Sequence, residues 1–322
     1  MLYFPVIEIK PFQQLKPTPP RMIRFIRGLY FEIARAAASP FAIRPAALYR
    51  LGDFLGAVRY RFGYVGERRS RGIYLARMAR ALPGRTRAEL EKILLAFWRS
   101  HQKNFLELFL LPHITAANVD TYVSFQGLEH LDAALASRRG AVIAPPHFGN
   151  ERLLHIALAL KGYPLAVMTS AFADAPANLR TARLEPARRV HELVFPSDNP
   201  RRLYDALRRN RVIQFSPTAD GATSGAWCEC FGYNLFVNTT PARLALKTGA
   251  PLLPCFIYRE ADNRHRIVVE PPLITKDSDA AVLTRLLMAV IEKRVNEDPG
   301  QFYWMWLIIR AQEAEATVGA RS

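Results

Sequence analysis

Residues 140–162, GAVIAPPHFGNERLLHIALALKG, carry the reading that decides the fold. GAVIAPP is a short apolar run, the pattern of a strand buried on both faces. It breaks at the turn HFGN and continues as the helix ERLLHIALALKG. The same alternation recurs downstream. YPLAVMTS (163–170) is a second buried strand, and RRLYDALRRNR (201–211) is a helix leading into the strand VIQFSP (212–217). TTPARLALKTG (239–249) reads as a helix with Thr240 as N-cap, Pro241 at the first helical position and Gly249 at its end. PLLPCFIYRE and HRIVVEPPL form a pair of strands joined by ADNR. A last helix from Asp279 to Asn296 precedes the aromatic segment QFYWMWLIIR. Strands alternating with helices imply an α/β fold with a mostly parallel central sheet flanked by helices.

Upstream, residues 86–111 read as a long amphipathic helix. Thr86 and Glu89 stand at capping-box spacing, and Pro112 ends it. GLEHLDAALASRRG (127–140) reads as another helix, closed by Gly140 as its C′ residue.

The chain has 322 residues, half of them hydrophobic, which excludes a wholly disordered protein. Against 28 acidic residues stand 44 Lys and Arg, a net charge of +16 that favours anionic partners. Most of the excess lies early: Met1 to Arg80 holds 15 basic and 4 acidic residues. There Arg21, Arg24, Arg27 and Arg35 punctuate a helical pattern of bulky apolar residues, and a second amphipathic run spans Ala46 to Phe62. Basic amphipathic helices lie in membrane interfaces, which makes residues 1–80 a membrane-association region and residues 81–322 the catalytic domain. The plainer alternative is a pair of helices capping the domain, their arginines solvated. No run is long enough to span a bilayer, and the N-terminus does not read as a secretory signal. Neither zinc-finger spacing nor an aromatic RNA-recognition motif accompanies the charge, so nucleic acid is not expected as a partner. Three cysteines, Cys228, Cys230 and Cys255, are too few for a disulfide framework, and the lone Cys-x-Cys lacks the further ligands a metal site needs.

His147 falls at a strand end, where α/β folds bind ligands. It is suited to general-base work near neutral pH, although a histidine there is more often structural. Glu151, four residues on, is placed to orient the imidazole, and Gly149 permits the tight turn.

APPHFGNE, preceded by FQGLEHLDAALASRRG, resembles the late acyltransferases of lipid A biosynthesis, within the lysophospholipid acyltransferase superfamily. RTARLEPARR, VIQFSPTADG, ECFGYNLFVNTTPARLALKTGAPLLPCFIYR and QFYWMW continue the likeness in order, over roughly residues 85–306. The resemblance implies transfer of a fatty acyl chain from acyl carrier protein or acyl-CoA to a hydroxyl of a glycolipid. It places the reaction at the cytoplasmic face of the inner membrane, with no cofactor beyond the donor and no metal. Where the family commonly has an N-terminal spanning helix, this chain has Arg-broken amphipathic stretches, which makes it peripheral. His147 and Glu151 become the catalytic pair. Backbone amides near Gly149 and Asn150, or the basic Arg183, fall to the oxyanion. Asp220 and Gly221, following a buried strand, read as substrate-site residues, and Thr239, Thr240 and Arg243 as lining the acceptor pocket. For the last two the plainer reading is that Thr240 caps its helix and Arg243 pairs with a carboxylate. The family's acid stands five residues after its histidine; here that position is Arg152 and the acid comes at four. That departure keeps open a lysophospholipid or non-lipid acceptor, or a binding protein whose site has decayed.

Overall fold

Seven short strands assemble into one sheet in the computed structural model, which describes residues 45–62, 68–169, 191–194, 198–218, 224–273 and 279–319. Three helices come first: α1 (Pro45–Phe62), α2 (Arg68–Ala81) and α3 (Arg87–Leu106). Then follow β1 (Val123–Gln126), α4 (Leu128–Ala136), β2 (Ala141–Ala144), α5 (Glu151–Leu160), β3 (Leu165–Met168) and β4 (Glu192–Val194). The chain continues through α6 (Arg201–Arg208), β5 (Val212–Gln214), β6 (Gly225–Cys230), β7 (Tyr233–Asn238) and α7 (Thr240–Thr248). It closes with β8 (Leu252–Arg259), β9 (His265–Val269), α8 (Ala280–Glu297) and α9 (Trp304–Gly319).

The strand order is β1-β9-β8-β2-β5-β3-β4. Every neighbouring pair is parallel except β8 and β9, the hairpin expected around ADNR. Alternate residues serve two separate cores. Along β2, Val142 and Ala144 join the core beneath α2, α3, α7, α8 and α9, while Ala141 and Ile143 join the one beneath α4 and α5. On β8, Phe256 and Tyr258 face the first, Cys255 and Ile257 the second. A sheet covered on both faces needs strands apolar at every position, which is why the central runs read as continuous rather than alternating.

Thr86 and Glu89 form the expected capping box on α3. The helix then ends at Leu106, short of Pro112, and tightens into 3₁₀ turns at Glu107–Phe109 and Leu111–His113. Similarly, α4 ends at Ala136 rather than at Gly140. The Ser137 hydroxyl donates to the Ala134 carbonyl, and Arg138 takes the left-handed turn. The cap of α7 falls on Thr239, with Pro241 second in the helix, and Gly249 ends it at φ +70. Strand β4, the β6–β7 hairpin and helix α9 are additions to the elements expected from sequence.

Within the basic N-terminal region, α1 lies directly on α3. A Cβ on Gly56 would stand 2.4 Å from the Arg99 Cα, so the close approach of the two helices requires glycine there. Tyr74, Leu75 and Met78 of α2 enter the same core as Phe97, Trp98 and Trp306. The expected helix around Arg21 to Arg35 lies outside the described residues.

His155 on α5 meets His191 edge-on, with ring centroids 4.7 Å apart. The His155 Nδ1 and both ring nitrogens of His191 are buried without a hydrogen-bond partner. Burial, then the neighbouring charges of His191 and Arg152, push His155 well below the usual histidine range; burial lowers His191 to about 4. Such groups bind protons less well folded than unfolded. Their contribution is complete above a pH of about 6.5 and is lost as the pH falls toward that of the folded groups. The thermal midpoint is therefore expected to drop between pH 7 and pH 5. His155→Phe/His191→Phe should flatten that decline, and an unchanged decline would rule out the pair as its source.

Candidate active site

His147 follows β2, on a loop fixed from three sides. Its own N–H donates to Thr218 Oγ1 at 3.1 Å, and its ring Nδ1 stands 2.5 Å from the same oxygen. Thr218 is fully buried after β5, the strand paired beside β2, and is bridged to Ser216 Oγ at 2.8 Å. On the other side of the ring, Nε2 lies 3.9 Å from Glu151 Oε2. That is ion-pair range and longer than a hydrogen bond. The four-residue spacing therefore does bring carboxylate and imidazole together: Glu151 is the first residue of α5 and faces back toward the loop.

The loop's second support is the chain segment before α9. The Gly149 N–H donates to the Gln301 carbonyl at 3.0 Å, and the Tyr303 N–H donates to the His147 carbonyl at 2.9 Å. Phe148 and Phe302 form an antiparallel bridge. Of the aromatic residues read from the C-terminal segment, Phe302, Trp304 and Trp306 are core. Tyr303 is half-buried, with its ring 6.1 Å from that of His147. Gly149 has φ +60, and a Cβ there would stand 1.9 Å from the Ile257 carbonyl oxygen, so the turn needs glycine twice over.

A third support is a buried polar cluster. The Asn150 side chain caps α5 by accepting the Leu153 N–H, and its amide donates to Glu107 at 2.7 Å. Glu107 also takes two hydrogen bonds from Arg259, at 2.6 and 2.7 Å, and lies 3.0 Å from His265 Nε2. Asn104 accepts from Arg259 and donates to the Gly149 carbonyl at 2.7 Å. Burial alone would raise the Glu107 pKa. The Arg259 charge, then that of His265, overturns this and holds the carboxyl well below its usual range. Burial, then Glu107, pushes the Tyr49 phenol on α1 upward.

These contacts reassign several expected ligand residues. The Gly149 amide, read as an oxyanion donor, is already used by Gln301. The Asn150 side chain, 1% exposed, is occupied by Glu107 and the helix cap, which concerns its side chain and not the backbone amide expected to face the oxyanion. Both hold the loop in shape. Thr239 is buried at the start of α7, its N–H donating to Ser224, and the Thr240 N–H donates to Asn238 Oδ1. Arg243 is exposed on α7, with no ion pair among the described residues. Arg183, Asp220 and Gly221 lie outside the described residues. Cys228 and Cys230 are buried free thiols on the inner face of β6, with pKa values raised by burial. No cluster of three metal-ligating side chains occurs among the described residues. Sequence reasoning missed Thr218, Glu107, Arg259, His265 and Gln301.

Residues 37–310 match the family model of bacterial lipid A biosynthesis acyltransferases. Among curated proteins, the chain is similar to the phosphatidylinositol mannoside acyltransferase of Mycobacterium tuberculosis. The two are 27% identical over 256 residues, which cover 76% of this chain and 79% of the relative. The protein of the same name from Mycolicibacterium smegmatis is 26% identical over 228 residues, covering 68% and 74%.

Proposed function

The chain belongs to the bacterial lipid A biosynthesis acyltransferase family and is an acyltransferase, and from that premise we propose that it moves a fatty acyl chain from a thioester donor to a hydroxyl of a glycolipid, with His147 as general base. The observation that carries this reading is the placement of the His147 ring between Thr218 at Nδ1 and Glu151 near Nε2. Nδ1 is taken up by a buried hydroxyl, so Nε2 is the nitrogen left to meet a substrate. Nδ1 then carries the ring proton and donates it to Thr218 Oγ1. A hydroxyl can accept twice and donate once, so Thr218 also accepts the His147 N–H and passes its own hydrogen to Ser216.

In the reaction, Nε2 removes the acceptor's hydroxyl proton as its oxygen attacks the thioester carbonyl. The new C–O bond forms, the C–S bond breaks, and the departing thiolate takes the proton back from Nε2. Glu151 stabilises the imidazolium in between. Opposite charges about 4 Å apart interact by roughly 1–4 kcal/mol between bulk water and a protein surface.

The donor is acyl carrier protein or acyl-CoA. A sugar hydroxyl of a glycolipid is the acceptor, as the names of the mycobacterial relatives suggest. No helix among the described residues is long and apolar enough to cross a membrane. Along α1, Phe54, Val58 and Phe62 are exposed at i, i+4 and i+8, beside the exposed Arg50 and Arg61. An apolar stripe flanked by arginines supports peripheral seating on an anionic membrane, at the cytoplasmic face where the donor is available.

Mass spectrometry of total lipids tests the reaction, comparing cells with the wild-type protein, with His147→Ala and with none. A lipid heavier by one acyl chain is expected with the wild type alone; identical profiles in all three would refute a lipid acceptor. The tautomer has its own test. Thr218→Val should lower kcat by about ten- to a hundredfold, the scale of one lost buried hydrogen bond. It should also move the pH profile, and Thr218→Ser should restore both. A valine variant with wild-type kcat and pH profile would sink the assignment.

A further inference from the structure

A cleft of about 410 Å³, open to solvent, lies between α3 and the turn at Asp298–Gln301; Arg259 and Gln301, which support the His147 loop, also line it. One wall is the face of α3 that carries Lys92, Ala96, Arg99 and Lys103, spaced at i, i+4, i+7 and i+11 on one side of the helix. Opposite stand Asp298 and Gly300, and Asp53 of α1 also lines it.

Its charge is unbalanced. Of the two lining carboxylates, Asp53 pairs with Lys103 at 2.9 Å, while Asp298 accepts from the neutral Gln301 amide at 2.6 Å and keeps its charge in the cleft. Arg259 is neutralised from behind by Glu107. Lys92 and Arg99 remain, with no carboxylate in ion-pair range among the described residues, and together they outweigh Asp298 by one positive charge. Their neighbours Arg71, Arg85 and Arg87 each reach Glu89 or Glu91.

The cleft also holds unused polar groups. Ser100 and Arg259 line it, and the Ser100 hydroxyl and Arg259 Nε are both buried without a partner. A buried donor left unsatisfied costs about 1–3 kcal/mol, which an acceptor oxygen would offset. Small residues keep the space open: a Cβ on Gly300 would stand 2.9 Å from the Ala96 Cβ.

We propose that this cleft binds a phosphate group. Phosphate supplies the charge that Lys92 and Arg99 lack, matches guanidinium geometry, and offers several acceptor oxygens to buried donors. Two sources present that chemistry to an acyltransferase: the headgroup of a membrane lipid and the phosphates of a thioester donor. The assignment rests on the cleft alone and is read by binding, so failure of the reaction proposed above would leave it standing.

Calorimetric titration of the full-length protein with sn-glycerol 3-phosphate, and separately with coenzyme A, tests it. Lys92→Glu/Arg99→Glu reverses the cleft charge, and Ala96→Trp fills the space without changing charge. Arg208→Glu, on α6 and outside the cleft, controls for general electrostatics. At least one ligand should bind the wild type, and both cleft variants should weaken it by about tenfold or more, with the control unchanged. Loss confined to glycerol phosphate identifies the headgroup as the source; loss confined to coenzyme A identifies the donor. Binding of neither ligand to the wild type, or affinity unchanged in both cleft variants, would overturn the proposal.

Discussion

Replacing His147 by alanine is expected to slow acyl transfer by a factor of about 10²–10⁴, the usual contribution of a positioned general base. Among the described residues, no other histidine, and no carboxylate besides Glu151, pairs with the His147 ring. The Glu151 carboxylate faces the ring rather than replacing it. The fold should tolerate the change, because the His147 side chain is 31% exposed. The loop is also held independently, through Gly149 to Gln301 and Tyr303 to the His147 carbonyl. Turnover of an acyl thioester with a glycolipid acceptor, measured beside the thermal midpoint, separates chemistry from folding. A folded His147→Ala enzyme with near-wild-type kcat would remove His147 from the mechanism. Glu151→Gln should cost less, since at 3.9 Å the carboxylate acts by charge and the isosteric amide keeps the shape.

The largest effect on stability is expected at Glu107. Its carboxylate is wholly enclosed and holds Arg259, His265 and Asn150 together. Glu107→Ala would leave the Arg259 guanidinium, with its side chain only 6% exposed, as an uncompensated buried charge. Breaking a buried pair in this way costs about 3–5 kcal/mol. For a chain of this size that is a fall in melting temperature on the order of 10 °C. Activity should fall too, because Asn150 and Asn104 connect this cluster to the His147 loop. The pH dependence has a definite sign. Glu107 is held below its ordinary pKa in the folded state. Its contribution is therefore full above a pH of about 4.3 and is lost as the pH falls further. A Glu107→Ala protein that melts with the wild type at neutral pH would show that the cluster does not hold the fold.

The sequence carried the strand–turn–helix unit around His147 because its signals are local. An apolar run, a glycine turn and a helical repeat need only a few consecutive residues to be read. The same locality placed Glu151 near His147, since both belong to one turn and the helix it opens. The Thr86 and Glu89 capping box was legible for that reason as well. Where local signals competed, boundaries moved: Ser137 stops α4 before Gly140.

What holds the histidine was not legible. Thr218 is 71 residues from His147 and becomes its partner only because β5 pairs beside β2. Glu107 meets Arg259 and His265 across 152 and 158 residues, and no periodicity in the chain marks that triad. Gln301 and Tyr303 reach the loop from the segment before the last helix. Sequence alone thus determined the alternating architecture, the basic N-terminal region and the His147–Glu151 pair, all set by neighbours along the chain. The tertiary structure decided the partner of the His147 ring, the internal use of the Gly149 amide and the Asn150 side chain, and the cleft between α3 and the Asp298–Gln301 turn. Those depend on the order in which strands and helices meet in space, which local propensity does not encode.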